Sequence, residues 1–205
     1  MSRTSTSTRV GTPAHAAVDF EVRKASMADI PGLLALINAF AARGSMLPRT
    51  EFEMAENLRD FTVIQVEDRL AGCGALHLYT PKAAEIRSLA ISPGLQGRGA
   101  GTAIVKALEA EAQAFGVEEV FAFTYLPAFF RKLGFVEIDR GELPLKAWKD
   151  CLRCPKFQCC DEIAVIKQLP VTGVGVMNTH TCGVASTDSF ADEPAPSLPV
   201  LRNPH

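Results

Sequence analysis

The 205-residue chain has no surplus of either charge: 21 basic and 23 acidic residues leave a formal net charge of -2. Without a basic excess it carries no electrostatic footprint for nucleic acid, so no such partner is expected. No apolar run approaches the ~20 residues of a bilayer span, and no membrane partner is expected. Residues 1–17 lack the apolar core of a secretory signal. Arg3 and Arg9 precede the first acid, Asp19. That leaves a transit peptide as the alternative to the reading adopted, a disordered extension over 1–18. The six cysteines therefore read as reduced thiols of a cytoplasmic protein. Four of them, Cys151, Cys154, Cys159 and Cys160, have no histidine between them and no long loop separating two pairs. Structural zinc sites have that longer spacing, so no metal is expected and the thiols read as small buried hydrophobes.

Present instead is a hydrophobic content of 47%, enough for one core. The tail from 170 to 205 holds five of the 13 prolines and little apolar periodicity, and is expected to be a flexible appendage. That places the domain at 19–169, with no internal repeat.

The most informative stretch is Gln96-Gly97-Arg98-Gly99-Ala100-Gly101. It lies between an apolar strand pattern over Ile86 to Ser92 and a helical pattern over Thr102 to Phe115. Glycines there let the backbone approach a ligand and point its N–H groups outward. The helix N-terminus adds unsatisfied donors and partial positive charge, so the turn suits a pyrophosphate. No Lys-Ser/Thr pair follows the last glycine, which excludes a P-loop, and G-x-G-x-G is not the dinucleotide fingerprint.

The rest of the domain reads in order. A strand is expected at 18–23. A helix follows over Ile30, Leu33, Leu34, Ile37 and Phe40, introduced by Ser26 and Asp29 and closed by Gly44. Thr50 caps a second helix with Glu53 at its third position. Phe61–Val66 and Leu70–Tyr79 form a hairpin, and Glu85–Ile91 is the central strand. After the long helix come a strand at Glu119–Thr124, a short helix at Leu126–Lys132, and strands at Phe135–Ile138 and Ile163–Leu169. This order predicts an α/β (α+β) fold, a mixed, mostly antiparallel sheet with helices on both faces.

The Q-x-x-G-x-G pattern, the element order and Phe130-Arg131-Lys132-Leu133-Gly134-Phe135 resemble the GNAT N-acetyltransferases. Glu85-Ile86-Arg87-Ser88-Leu89-Ala90, Leu143-Pro144, Lys146, Trp148, Cys151-Leu152-Arg153-Cys154-Pro155-Lys156-Phe157 and Asp161-Glu162 look like the short, single-domain N-acetylglutamate synthases. They also resemble the C-terminal half of the longer bacterial enzymes. The kinase-like, arginine-binding domain of those longer enzymes is not expected here, so any arginine site would lie elsewhere.

The resemblance implies acetyl-CoA as co-substrate. Main-chain N–H groups of Gln96, Gly97, Arg98, Gly99, Ala100 and Gly101 would hold its pyrophosphate, and Arg98 would add a charge-assisted bond. The pantetheine arm would run along Leu89, Ala90 and Ile91, where a backbone N–H would polarise the thioester carbonyl. Glu85 would be the base that takes a proton from the attacking amine. Strand alternation would put positions 85, 87 and 89 on one face. The family's usual acid, a tyrosine four residues before the glycine of Gly134-Phe135, is replaced by Phe130. Tyr125 is the substitute, unless the thiolate leaves unaided. The resemblance further implies glutamate as the amine. Arg87, with Arg153 and Lys156 from the cysteine-rich segment, would then clamp its carboxylates. Acetylation of glutamine or another small amine stays open, as do a non-catalytic sensor of acetyl-CoA or an amino acid, and a homodimer.

Overall fold

The computed structural model describes residues 19–143, 152 and 154–170. The segments expected at 1–18 and 170–205 lie outside these residues except for Pro170, and so does Arg153.

Seven strands form one sheet. They are β1 (Glu21–Lys24), β2 (Phe61–Val66), β3 (Arg69–Leu78), β4 (Ala83–Ile91), β5 (Glu119–Thr124), β6 (Val136–Ile138) and β7 (Ile163–Gln168), in the order β1-β2-β3-β4-β5-β7-β6. All neighbours are antiparallel except β4 and β5. Among the described residues four α-helices cover it: α1 (Ile30–Ala41), α2 (Glu51–Glu56), α3 (Ala100–Ala114) and α4 (Pro127–Arg131). The expected elements are present, with ends displaced by a few residues. The first strand begins at Glu21 rather than at position 18.

Local chemistry explains the helix starts. Asp29 accepts from the Ser26 N–H and is gripped by the two terminal nitrogens of the Arg23 guanidinium, each at 2.8 Å. Thr50 and Glu53 exchange backbone hydrogen bonds in a capping box that opens α2. The apolar faces of these helices then cover the sheet. Ile104, Val105 and Leu108 of α3 pack with Ile86 on one side. Leu33, Ile37 and Met54 of α1 and α2 pack with Val63, Cys73 and Ala75 on the other.

Two features of β4 shape everything that follows. Its parallel pairing with β5 covers only Ala83, Ala84 and Glu85 against Glu119, Val120 and Phe121. Beyond Glu85 the two strands splay. The second feature is a bulge: Ser88 adopts φ 53°, and the register with β3 shifts between Cys73 and Ala75. A bulged residue resets alternation. Arg87 lies opposite Ala75, and Ala90 lies opposite Cys73, both on the α1 side. Leu89 and Ile91 join Ile86 in the cluster under α3. The expectation that 85, 87 and 89 share a face is therefore corrected: 85 and 87 do, and the bulge turns Leu89 to the opposite side.

Candidate active site

The splay between β4 and β5 opens onto a cavity of about 570 Å³. Its floor is β4 and β5, through Glu85, Arg87, Ser88, Phe123 and Tyr125. One wall is the α1–α2 connection, with Met46, Leu47, Pro48 and Arg49; the other is the segment from Cys154 to Glu162. A second hollow of about 470 Å³ shares Arg87, Ser88, Phe123, Tyr125 and Lys156 with the first and runs past Leu89, Thr124 and Leu126.

Glu85 is buried, 8% exposed, and accepts a hydrogen bond from the Tyr79 hydroxyl at 3.0 Å. The Tyr79 ring is wedged between His77 and Phe121. Arg87 lines both hollows, but its guanidinium is shared with the protein. Its Nη2 lies 3.0 Å from His77 Nδ1, 3.4 Å from Asn57 Oδ1 and 3.6 Å from Asp60 Oδ2. His77 in turn sits 2.8 Å from Asp60.

Tyr125 stands at the end of β5, 38% exposed, and its oxygen accepts from Lys156 Nζ at 3.0 Å. That ammonium also lies 4.9 Å above the Tyr125 ring centre and 3.4 Å from Asp161. Burial raises the phenol above its ordinary value, and the Lys156 hydrogen bond pulls it partly back. Glu85 and Tyr125 thus face the same cavity. Phe130 is core: it packs edge-on against Phe129 and Phe135 under α3, on the opposite side of the sheet from Glu85.

The glycine turn behaves as a cradle. Gly97 and Gly99 have φ of 74° and 85°, and a Cβ at either would meet no atom within 4 Å. Open space over left-handed glycines at the start of a 15-residue helix suits a large anion. Gly101 serves another purpose: a Cβ there would lie 3.3 Å from the Phe129 ring. Its glycine permits close packing of α3 on α4. The Gln96 side chain donates to the Ile91 carbonyl at 2.9 Å, closing the end of β4. Leu95 and Ala100 are buried and Arg98 is exposed.

Three cavity residues escape sequence reasoning. Arg49 is held by Asn38, which bonds both its N–H and its carbonyl. Arg140 Nη2 donates to the carbonyls of Cys160 and Glu162 at 2.8 and 2.6 Å, pinning the far wall. Glu162 is a carboxyl raised above its ordinary range by burial, with the Arg140 charge opposing. Only the proline before Arg49 hinted that its position is fixed. Among the described residues no three His, Cys, Asp or Glu side chains come together as a metal site, and no helix is long and apolar enough to cross a membrane.

Comparison with known proteins agrees with this geometry. Residues 34–135 match the acetyltransferase (GNAT) family. An uncharacterized N-acetyltransferase of Chlorobaculum tepidum is 40% identical over 153 residues, 75% of this chain and 99% of that one. An amino-acid acetyltransferase of Mycobacterium tuberculosis is 33% identical, over 64% of this chain and 77% of its own. Of an amino-acid acetyltransferase from Ralstonia nicotianae, 32% identical over 60% of this chain, only 28% is spanned. Among solved structures, N-acetylglutamate synthase from Neisseria gonorrhoeae, complexed with coenzyme A and N-acetyl-glutamate, superposes with TM-score 0.68. It is 25% identical over 74% of this chain and 35% of its own. A Mycobacterium tuberculosis protein in complex with CoA gives TM-score 0.63 at 26% identity, over 73% of this chain and 99% of its own. The chain belongs to the GNAT family: it is an acyltransferase that takes its acetyl group from acetyl-CoA.

Proposed function

We propose that the chain acetylates the α-amine of L-glutamate, giving N-acetylglutamate, in the cytoplasm and as a step of arginine biosynthesis. The observation that carries this reading is the composition of the cavity. Arg49 lines it from the α1–α2 connection, and Arg87 and the buried Glu85 lie on its floor. Arg140, the third arginine of the lining, donates to main-chain carbonyls of the wall; the guanidinium groups of Arg49 and Arg87 and the Glu85 carboxylate match a substrate with two carboxylates and one ammonium group. The relatives that act on amino acids and the synthase solved with N-acetyl-glutamate support the same substrate class.

In this reading the cradle at Gly97 and Gly99 binds the CoA pyrophosphate, and the pantetheine arm enters through the gap beside Leu89. Glu85 removes a proton from the ammonium, directly or through water, and the amine attacks the thioester carbonyl. Overall the ammonium loses two protons; one ends on the CoA sulfur and one is released. Arg87 acts as part of a unit with Asp60, His77 and Asn57, which fix its guanidinium before substrate arrives.

The test is release of free CoA across a panel of amino acids. Glutamate is expected to be the preferred acceptor, and Arg49→Ala or Arg87→Ala to cut its kcat/KM by roughly 10–150-fold, the worth of about 1.5–3 kcal/mol at a charged hydrogen bond. Acetyl-CoA affinity should be unchanged. Turnover of glutamine or another amine in place of glutamate would move the substrate. Absence of CoA release with every amine, despite CoA binding, would instead favour a sensor.

A further inference from the structure

From the contacts around Tyr125 we infer that Lys156 is a positioning residue of the acid step, fixing the Tyr125 hydroxyl and standing ready to stabilise the phenolate it leaves, and is not a clamp on the amino-acid substrate. This rests on the acetyltransfer reading above.

The geometry leaves the ammonium little freedom for another task. Lys156 Nζ donates to the Tyr125 oxygen at 3.0 Å, lies 4.9 Å over the same ring and is drawn from behind by Asp161 at 3.4 Å. Two of these contacts fall on one phenol, and the third holds the same ammonium beside it. A lysine gripping a substrate carboxylate would point its donors into the cavity. This one lies along the cavity wall, against a side chain that also faces the cavity. The position also fits the chemistry. When the tetrahedral intermediate collapses, the C–S bond breaks and the electron pair goes to sulfur. The Tyr125 O–H gives its proton to that sulfur, forming the CoA thiol, and the phenolate is left beside the Lys156 cation. An adjacent ammonium stabilises a phenolate, and it reprotonates it from solvent-exchangeable protons. Burial first, and then the neighbouring Asp161 and Glu162, make Tyr125 a poorer acid than a free phenol, and the Lys156 hydrogen bond opposes them. Phe130, where the family places its acid, lines the second hollow but has a phenyl ring with no proton to give.

The chain contains only two tyrosines, Tyr79 and Tyr125. In Tyr79→Phe protein the ultraviolet phenolate signal therefore reports Tyr125 alone. With Lys156→Met added, its ionisation is expected to begin at higher pH; an unmoved onset in folded protein overturns the proposal. Kinetics give the second arm. Lys156→Met is expected to lower kcat about tenfold, the worth of one hydrogen bond. The KM for the amino acid should stay within about twofold, because no substrate contact is lost. Lys156→Arg should restore much of the loss. Tyr125→Phe should abolish most of the remaining sensitivity to Lys156, since residues acting as a unit are not additive. A raised KM for the amino acid with unchanged kcat would instead make Lys156 the substrate clamp. Should no amine be turned over at all, the acetyltransfer reading fails, and the phenolate titration still decides whether Lys156 tunes Tyr125.

Discussion

Glu85 is set between Tyr79, which donates to one of its oxygens, and Phe121 across the parallel ladder, and it faces the cavity. One oxygen is fixed by the phenol. A carboxylate oriented in this way suits proton abstraction, which is worth ~10²–10⁴-fold in rate when the base is removed. Glu85→Gln is therefore predicted to lower kcat by two decades or more while CoA still binds; a variant within about threefold of wild type moves the role elsewhere. Glutamine keeps the shape of the side chain, so circular dichroism should report an unchanged fold. Glu85 was legible in the sequence because it starts a strand pattern and matches the family's central strand. Arg49, Arg140 and Glu162 were not. Their roles come from three chain segments meeting across the cavity, and no local pattern encodes such a meeting.

At the scale of elements, the turn from β4 into α3 carries two kinds of glycine. Gly97 and Gly99 hold left-handed backbone under open space, whereas Gly101 makes room for Phe129. A β-branched residue in left-handed backbone costs roughly 1–3 kcal/mol. Gly99→Val is predicted to stay folded with a lowered melting temperature and to lose its stabilisation by CoA. In the parent protein, saturation at about 100 times Kd should contribute ~2.7 kcal/mol, read as a rise in Tm. An unchanged CoA-induced rise in the variant would remove the turn from the site. The sequence showed this turn by its spacing, but not the division of labour among its glycines, which depends on where Phe129 packs. The bulge at Ser88 was equally hidden. Nothing in Arg87-Ser88-Leu89 marks a positive φ, so strict alternation misplaced Leu89.

The entry to α1 gives a pH dependence. Asp29 is held well below the usual carboxylate range, first by the Arg23 guanidinium, against the cost of burial, and then by the Ser26 N–H and hydroxyl. A depressed folded value means the stabilisation is complete above about pH 4, the unfolded value, and is lost as pH falls below it. Arg23 is partly exposed, so the contribution is discounted to about 1–2 kcal/mol. Asp29→Asn is predicted to lower Tm by a few degrees at pH 7 and by less near pH 2, where the unfolded wild-type chain is already protonated at this carboxyl and the folded ion pair contributes less. Equal losses at both pH values would show that the carboxylate charge contributes nothing. Ser26, Met27, Ala28 and Asp29 announced this helix start in the sequence, although Arg23 was visible there only as a strand residue.

For the whole molecule, the order of strands along the chain and a mixed, mostly antiparallel sheet followed from the spacing of apolar runs and turns, whereas the place of β7 between β5 and β6 did not. What that order could not convey is how few rungs join its two halves. Only three residue pairs fasten β4 to β5 before the strands part. The sheet is in effect a zip closed at one end, with β1 to β4 as one panel and β5 to β7 as the other. An occupant of the gap would act as the missing slider, tying the panels together beyond the last rung. That mechanical picture has a spectroscopic signature. Amides of Ile86 to Ile91 that face the gap should exchange with solvent faster without CoA than with it, while those at Ala83 to Glu85 should hold the same pace throughout. The width of the opening would then be set by what fills it, and the distance across the cavity from Glu85 to Tyr125 would be tuned by the cofactor itself.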